Sequence, residues 1–291
     1  MGILKFKIPK PDNELIRHQV DDLPHFFDQL HQHPEVQLTR IFQGVGNLVV
    51  GDYIGRFRPG DLYMLGPGIP HVFRNDDSYY QNDSEKRAHS ESLFFDLKIM
   101  GAYLAPIQEF KDLLGFFWKL NGCYRIMDES QFIKKRLIRL RSLTGLPRII
   151  QSMEILDHIM EGNVLKRLNQ MTTVKNYSRK EGKRMDEVMR YLMEESNRQV
   201  KLAEVADVAG MNKEAFCRFF KERTRKTLTE FLNEVRITNA CHLLADRELS
   251  ISQVASEAGF ANLSYFNRVF RKMNGITPKE FRRSLQGEPT Q

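Results

Sequence analysis

The last hundred or so residues repeat themselves, and this repeat limits the fold more than any other feature of the chain. Leu202-Ala203-Glu204-Val205-Ala206, followed by Gly210-Met211, recurs as Ile251-Ser252-Gln253-Val254-Ala255, followed by Gly259-Phe260. The offset is 49 residues and becomes 50 past the turn, where Phe216, Arg218, Phe220 and Lys221 match Phe266, Arg268, Phe270 and Arg271. Ala206 or Ala255 lets two helices approach, and a glycine four residues later supplies the turn, so each copy reads as a helix-turn-helix, over 202–221 and 251–272. Asn212 is suited to cap the second helix of the first copy, and Asn262 or Ser264 that of the second. Phe216 with Phe220, and Phe266 with Phe270, fall four apart on one face, which is the face to bury.

The opposite face carries Lys213, Glu214, Cys217 and Arg218 in one copy and Leu263, Ser264, Asn267 and Arg268 in the other. Arginine can form two hydrogen bonds with a guanine edge in the DNA major groove, and asparagine can do the same with adenine. The competing reading is a scaffold of two packed hairpins with solvated arginines. The matched endings Arg-Phe-Phe-Lys and Arg-Val-Phe-Arg favour DNA. Charge adds little: the net is +7, of which residues 183–291 supply +4, from 19 basic and 15 acidic side chains.

At 291 residues the chain is long enough for two domains. It has no apolar run near the roughly 20 residues of a spanning helix and no export signal at the N-terminus, so a cytoplasmic protein with no membrane partner is expected. Cys123, Cys217 and Cys241 are too few and too scattered for a disulfide framework or a paired zinc site. Short extended runs at 36–42, 47–50 and 62–65, separated by glycine- and proline-containing turns, predict a small barrel or sandwich between about Leu15 and Leu97. Helical spacing then begins with Ile107, Phe110, Leu114 and Phe117. Ser130 can cap a second run carrying Ile133, Leu137 and Leu140, and Pro147 opens a third with Ile150, Met153 and Leu156. Residues 166–184, with Lys166, Arg167, Lys175, Arg179, Lys180, Lys183 and Arg184 among polar residues, have the composition of a solvated linker that could also approach phosphates.

Residues from about 185 to 285 resemble the DNA-binding region of the AraC/XylS family of bacterial transcription regulators. The resemblance is carried by Gly259-Phe260-Ala261-Asn262, by Ser264-Tyr265-Phe266-Asn267-Arg268-Val269-Phe270-Arg271-Lys272, and by Gly275-Ile276-Thr277-Pro278 with Phe281-Arg282. It implies an α+β protein of two domains: a cupin-like β-barrel with following helices for effector binding and dimerisation (1–165), and, beyond the linker (166–184), an all-α double helix-turn-helix (185–291). It further implies seven C-terminal helices, one of them joining the two units from Arg236 to about Leu244. By motif position, Glu214, Cys217, Arg218, Ser264, Asn267 and Arg268 would contact bases, and Lys213, Lys221, Arg271 and Lys272 phosphates. The first copy departs from the pattern, with Arg225 and Leu228 where the second has Gly275 and Pro278. Glu214 would repel phosphates but can accept from a cytosine amino group.

The segment from His31-Gln32-His33-Pro34-Glu35 through Gly44, Gly51, Pro59-Gly60-Asp61 and Pro70-His71 resembles the cupin-like sensor of this family. Alternation would put His31, His33, Glu35 and Gln37 on one face, lining a small polar pocket with His71. Three imidazoles could bind a metal, but Leu38 stands where a metal-binding cupin has its glutamate, so a polar metabolite is favoured, with no metal and no cofactor. Histidines satisfied structurally at the rim are the remaining reading. The implied function is an effector-controlled regulator, an activator, with double-stranded DNA, a small molecule such as a sugar, a second copy of the chain and RNA polymerase as partners. The alternative is a cupin-type metal-dependent enzyme with a helical extension, weakened by the missing ligand and by the lack of any phosphate-loop or nucleophile motif.

Overall fold

In a computed structural model, residues 4–5, 8, 14–81, 83–128, 131–170 and 179–285 are described. The chain divides into an N-terminal unit (Met1–Tyr53 with Phe57–Lys180) and a C-terminal unit whose continuous part is Glu181–Gln291.

The described strands are β1 (Leu4–Lys5), β2 (Ile16–Leu23), β3 (His31–Gln32), β4 (Val36–Gln43), β5 (Gly46–Val50), β6 (Tyr53–Phe57), β7 (Leu62–Leu65), β8 (His71–Asn75), β9 (Ala88–Phe95), β10 (Cys123–Ile126) and β11 (Leu165–Arg167). The three extended runs read from the sequence are β4, β5 and β7, each within a residue of its expected bounds. They form a five-stranded sheet, β1-β3-β8-β5-β6, and a six-stranded one, β11-β10-β7-β4-β9-β2. Among the described residues the two sheets are not joined into a closed ring, so the expected barrel is observed as two open sheets.

Alternation divides the six-stranded sheet into two unlike faces. Val36 and Leu38 on β4, Leu62 and Met64 on β7, and Leu93 and Phe95 on β9 point away from the other sheet into an apolar layer. Helices α1 (Leu97–Leu104), α2 (Lys111–Lys119), α3 (Phe132–Leu140) and α4 (Gly145–Glu161) cover that layer with Met100, Phe117, Leu137 and Leu156. Ile41, Leu48, Phe57, Tyr63 and Phe73 pack in a second cluster to which both sheets contribute.

Several local expectations change in the fold. Helix α1 has no counterpart in the sequence reading; the Asp96 side chain starts it by accepting from the N–H groups of Lys98 and Ile99. Ile107 lies outside α2, 40% exposed, before a short 3-10 turn. Ser130 lies outside the described residues, and the Ile133 N–H at the start of α3 donates to Asp128 Oδ2 at 3.0 Å. The linker reading also shifts, because β11 pairs with β10 and the buried Asn169 accepts from the Cys123 N–H at 2.6 Å. The charged composition that marked residues 166–184 as linker therefore begins on the sheet, while Lys175 lies outside the described residues.

Glu91, on the helix-facing side of β9, is fully buried and ion-paired with Arg141, with His18 at 3.2 Å. Burial raises its pKa, but the hydrogen bonds from His18 and Arg141 outweigh that and hold it below the usual carboxylate range. A depressed folded-state pKa stabilises the fold above the ordinary glutamate value, and the contribution is lost as pH falls through the folded one. Glu91→Gln is therefore expected to cost about 2 kcal/mol near pH 7. Thermal melts should show the gap to wild type narrowing below about pH 4.3; a gap independent of pH contradicts the ion-pair account.

In the C-terminal unit the described helices are α5 (Arg179–Glu194), α6 (Leu202–Val208), α7 (Lys213–Thr224), α8 (Leu228–Leu243), α9 (Ile251–Glu257), α10 (Leu263–Asn274) and α11 (Pro278–Ser284). The α6–α7 and α9–α10 pairs are the two repeats. Asn212 and Asn262 are the caps, accepting from the N–H groups of Ala215 and Tyr265, so Ser264 is not needed for capping. Arg225 adopts the left-handed conformation (φ 57°) that Gly275 takes in the second copy (φ 78°), which keeps the two helix ends alike despite the sequence departure. The joining helix starts eight residues earlier than expected, at Leu228, because Thr227 and Glu230 form a capping box before it. Phe231 of α8 packs on Phe220 of the first repeat at 5.3 Å between ring centroids, while Ile237, Ala240 and Leu244 join the core of the second.

Candidate functional site

On α7 and α10 the aromatic pairs lie inward, with Phe216, Phe220, Phe266 and Phe270 at most 1% exposed. A helix with one face so fixed has no freedom about the other. Lys213, Glu214, Cys217, Arg218 and Lys221 of α7 are all exposed, as are Ser264, Asn267, Arg268, Arg271 and Lys272 of α10. All ten residues singled out for DNA contact are thus solvent-facing, on the two helices that follow the repeat turns.

Contacts invisible in the repeat pattern brace this surface. The Arg268 guanidinium carbon lies 5.2 Å from the centroid of the Tyr265 ring, and Asn233 Nδ2 of α8 donates to Tyr265 Oη at 2.8 Å. Arg236, also on α8, donates through Nε to Ser196 O (2.8 Å) and through Nη2 to Arg198 O (2.6 Å), tying the α5–α6 connection to the joining helix. Arg223 pairs with Glu181 of α5. No one-face periodicity shows the links made by Asn233, Arg236 and Arg223, since each reaches from its helix to a different segment of the chain.

The N-terminal unit has a cavity of about 240 Å³ lined by His31, His33, Gln37 and His71, together with Thr39, Ser92 and Phe94. Glu35 does not line it. Its expected place assumed one strand from 31 to 37, whereas β3 ends at Gln32, the chain turns through 33–35, and β4 starts anew at Val36. On β4 the inward positions are Gln37, Thr39 and Ile41, and Leu38 faces the opposite, apolar layer. Sequence reading missed Thr39, Ser90, Ser92, Gln19 and Asp21 on this wall. Residues 90 and 92 carried no clear signal, because His89 and Glu91 between and beside them are polar too.

Ser92 Oγ donates to Thr39 Oγ1 at 2.7 Å, and Gln37 meets the His33 Nε2 edge at 3.1 Å. Burial lowers the pKa of all three histidines, to about 4 at His31, and His71 is further depressed by its neighbours His31 and His33. They are neutral at physiological pH. The wall therefore presents hydroxyls, an amide and uncharged imidazoles beside the Phe94 ring, which suits a small polar molecule with an apolar flank.

Residues 205–284, about a quarter of the chain, match the family model described as a helix-turn-helix domain. With ten polar residues aligned on the two second helices, the C-terminal unit is a tandem helix-turn-helix DNA-binding domain. The chain is 36% identical over 83 residues to the uncharacterized transcriptional regulatory protein YesN of Bacillus subtilis, covering 28% of this chain and 23% of that protein. It is 24% identical over 257 residues to the HTH-type transcriptional activator RhaR of Enterobacter sp., covering 87% and 86%. It is 20% identical over 294 residues to the uncharacterized HTH-type transcriptional regulator YdeC of Bacillus subtilis, covering 96% and 98%. The chain thus carries a DNA-binding helix-turn-helix domain, and the relatives that match it over most of its length are named as transcription regulators. No described helix is long and apolar enough to cross a membrane.

Proposed function

We propose that this regulator reads two successive major-groove segments of one double-stranded operator and is controlled by a small polar effector held in the N-terminal cavity. The matched exposed arginines, Arg218 and Arg268, on two braced helices carry this reading. Glu214, Cys217, Arg218, Ser264, Asn267 and Arg268 contact base edges, while Lys213, Lys221, Arg271 and Lys272 contact phosphates. In this reading the N-terminal unit is a cupin-like sensor that has kept the sheets and lost any catalytic role, and its domain boundary falls within 166–184.

His31, His33, Gln37 and His71 bind the effector, and a sugar or related metabolite fits a 240 Å³ cavity with hydroxyl, amide and aromatic walls. Tyr103, Trp118, Leu146 and Ile150 on α1, α2 and α4 are more than half exposed, which supports a homodimer through these helices. The name of the Enterobacter relative supports activation, with RNA polymerase as a further partner in the cytoplasm. The effector acts only if two arrangements of the protein bind it with different affinity.

The test is selection of bound fragments from sheared genomic DNA of the protein's own organism, across a salt series. Enrichment of a few upstream regions sharing one site, with affinity falling steeply as salt rises, is the expected result. Failure to enrich any region at low or moderate salt, with and without candidate metabolites, refutes the regulator reading.

A further inference from the structure

Arg225 holds a backbone conformation that the other repeat gives to glycine. It caps α7 at φ 57°, and Gly275 caps α10 at φ 78°. In the left-handed region a Cβ crowds the following carbonyl oxygen, and residues other than glycine that keep such strain gather at functional sites. Packing gives no reason for the arginine: among the described residues its exposed side chain has no hydrogen-bond or ion-pair partner. Its spacing continues the polar face of α7, with Arg218, Lys221 and Arg225 at i, i+3 and i+7.

Arg225 and Lys226 line an open cleft of about 700 Å³ between α8 and α10, with Arg268 and Lys272 on its other wall. The two acids of the cleft are already engaged. Glu230 accepts from the Thr227 N–H at 2.8 Å and from Thr227 Oγ1 at 2.9 Å, and Glu234 accepts from Lys226 Nζ at 2.5 Å. The Thr227 hydrogen bonds lower the Glu230 pKa, and Lys272 and Lys221 lower it further, so lysines of α7 and α10 both face the first turn of α8. Arg225, Arg268 and Lys272 form no ion pair among the described residues, which leaves the cleft with surplus positive charge.

We propose that Arg225 and this cleft hold the DNA backbone midway between the two major-groove segments, with phosphodiester oxygens as the ligand. Such segments lie roughly 34 Å apart on one face of the duplex. The minor groove between them turns its bordering phosphates to that same face. The cleft occupies the corresponding place in the protein, between the C-terminal end of α7 and the charged face of α10. A guanidinium can meet two phosphate oxygens with parallel hydrogen bonds, which a glycine at this position could not supply.

The inference rests on the reading that α7 and α10 enter successive major-groove segments of one duplex. It adds a contact that the repeat pattern could not suggest, because the second copy has glycine here. It also explains the departure between the copies: strain at the end of α7 is retained for the charge it carries. Removing the arginine therefore moves two properties in opposite directions. Glycine relieves the left-handed strain, while the DNA loses one phosphate contact whatever its sequence.

The test uses full-length protein with a duplex carrying the site that wild type selects and with a scrambled duplex, each across a salt series. Arg225→Gly and Arg225→Asn should bind both duplexes about 8-fold more weakly at 0.1 M salt, with a salt slope shallower by about 0.9, the share of one phosphate contact. Arg225→Lys should keep the wild-type slope. Circular dichroism melts of Arg225→Gly should lie at or above the wild-type midpoint, and weaker binding by a protein at least as stable does not come from a damaged fold. Asparagine also tolerates this conformation, so Arg225→Asn repeats the test without the added freedom of glycine. The proposal is overturned if both folded neutral variants keep the wild-type slope and affinity, or if Arg225→Lys loses as much as they do. A wild-type protein that selects no site refutes the two-segment reading and this contact together, whereas normal selection with unchanged variants refutes the contact alone.

Discussion

Replacing Arg218 and Arg268 together by alanine should abolish site selection while leaving weak, sequence-independent DNA binding. Both side chains are exposed on helices whose opposite faces hold fully buried phenylalanines, so truncation removes no core contact. A bidentate arginine–guanine pair discriminates by about 1–3 kcal/mol, which makes the two together worth about 2–6 kcal/mol, or roughly 30-fold to 10⁴-fold in Kd. Arg268→Ala also removes the contact with the Tyr265 ring, whereas the Tyr265 bond to Asn233 remains to hold α10 on α8. Lys221→Ala and Lys272→Ala serve as the contrast. A lost phosphate contact weakens all sequences about equally and makes the salt dependence shallower by about one unit of slope. Quantitative binding to the selected site and to a scrambled one separates the two classes. Equal losses on both DNAs for the arginine variant would show that these residues only neutralise phosphates.

Gly259→Ala should destabilise the C-terminal unit severely, and Gly210→Ala only mildly, although the two glycines are equivalent in the repeat. Both have positive φ, 88° and 58°, and an alanine there costs about 1–2 kcal/mol in left-handed strain. Their surroundings differ. A Cβ on Gly210 meets nothing within 4 Å, while one on Gly259 would lie 2.1 Å from Ser196 O and 2.9 Å from the Asn197 backbone. That carbonyl cannot retreat freely, because Arg236 donates to it. Relieving the clash therefore breaks a charged hydrogen bond worth about 1.5–3 kcal/mol.

The sum is about 3 kcal/mol or more, which for a domain near 100 residues lowers the melting midpoint by roughly 10 °C or more. Trp118, the single tryptophan, lies in the N-terminal unit, so its fluorescence follows that unit while far-UV circular dichroism also follows the helices of the other. A Gly259→Ala protein that melts like Gly210→Ala would mean that the α5–α6 connection yields easily and does not fix the second repeat.

The helix-turn-helix pairs could be read from the sequence because they are local. Cap, apolar spacing of four and turn glycine all lie within about twenty residues, and a short segment specifies them without help from the rest of the chain. The second repeat and the strands at 36–42 and 62–65 were legible for that reason. Helix α1 was not, since it is started by Asp96 and has a single fully buried side chain, Met100, which leaves no stripe to detect. Glu35 was misassigned because alternation was carried across Pro34, where the strand is interrupted.

The sequence by itself determined the tandem repeat, the face each second helix exposes and the absence of any long apolar span, all consequences of residue order within a few turns or strands. Only the tertiary structure decided what meets across that distance. Strand register sets His31 against His71, the opposite sense of neighbouring β4 residues turns Gln37 rather than Leu38 to the cavity, and the docking of α8 makes Gly259 sensitive while leaving Gly210 tolerant. Such pairings come from packing between segments far apart in the chain, and no local periodicity records them.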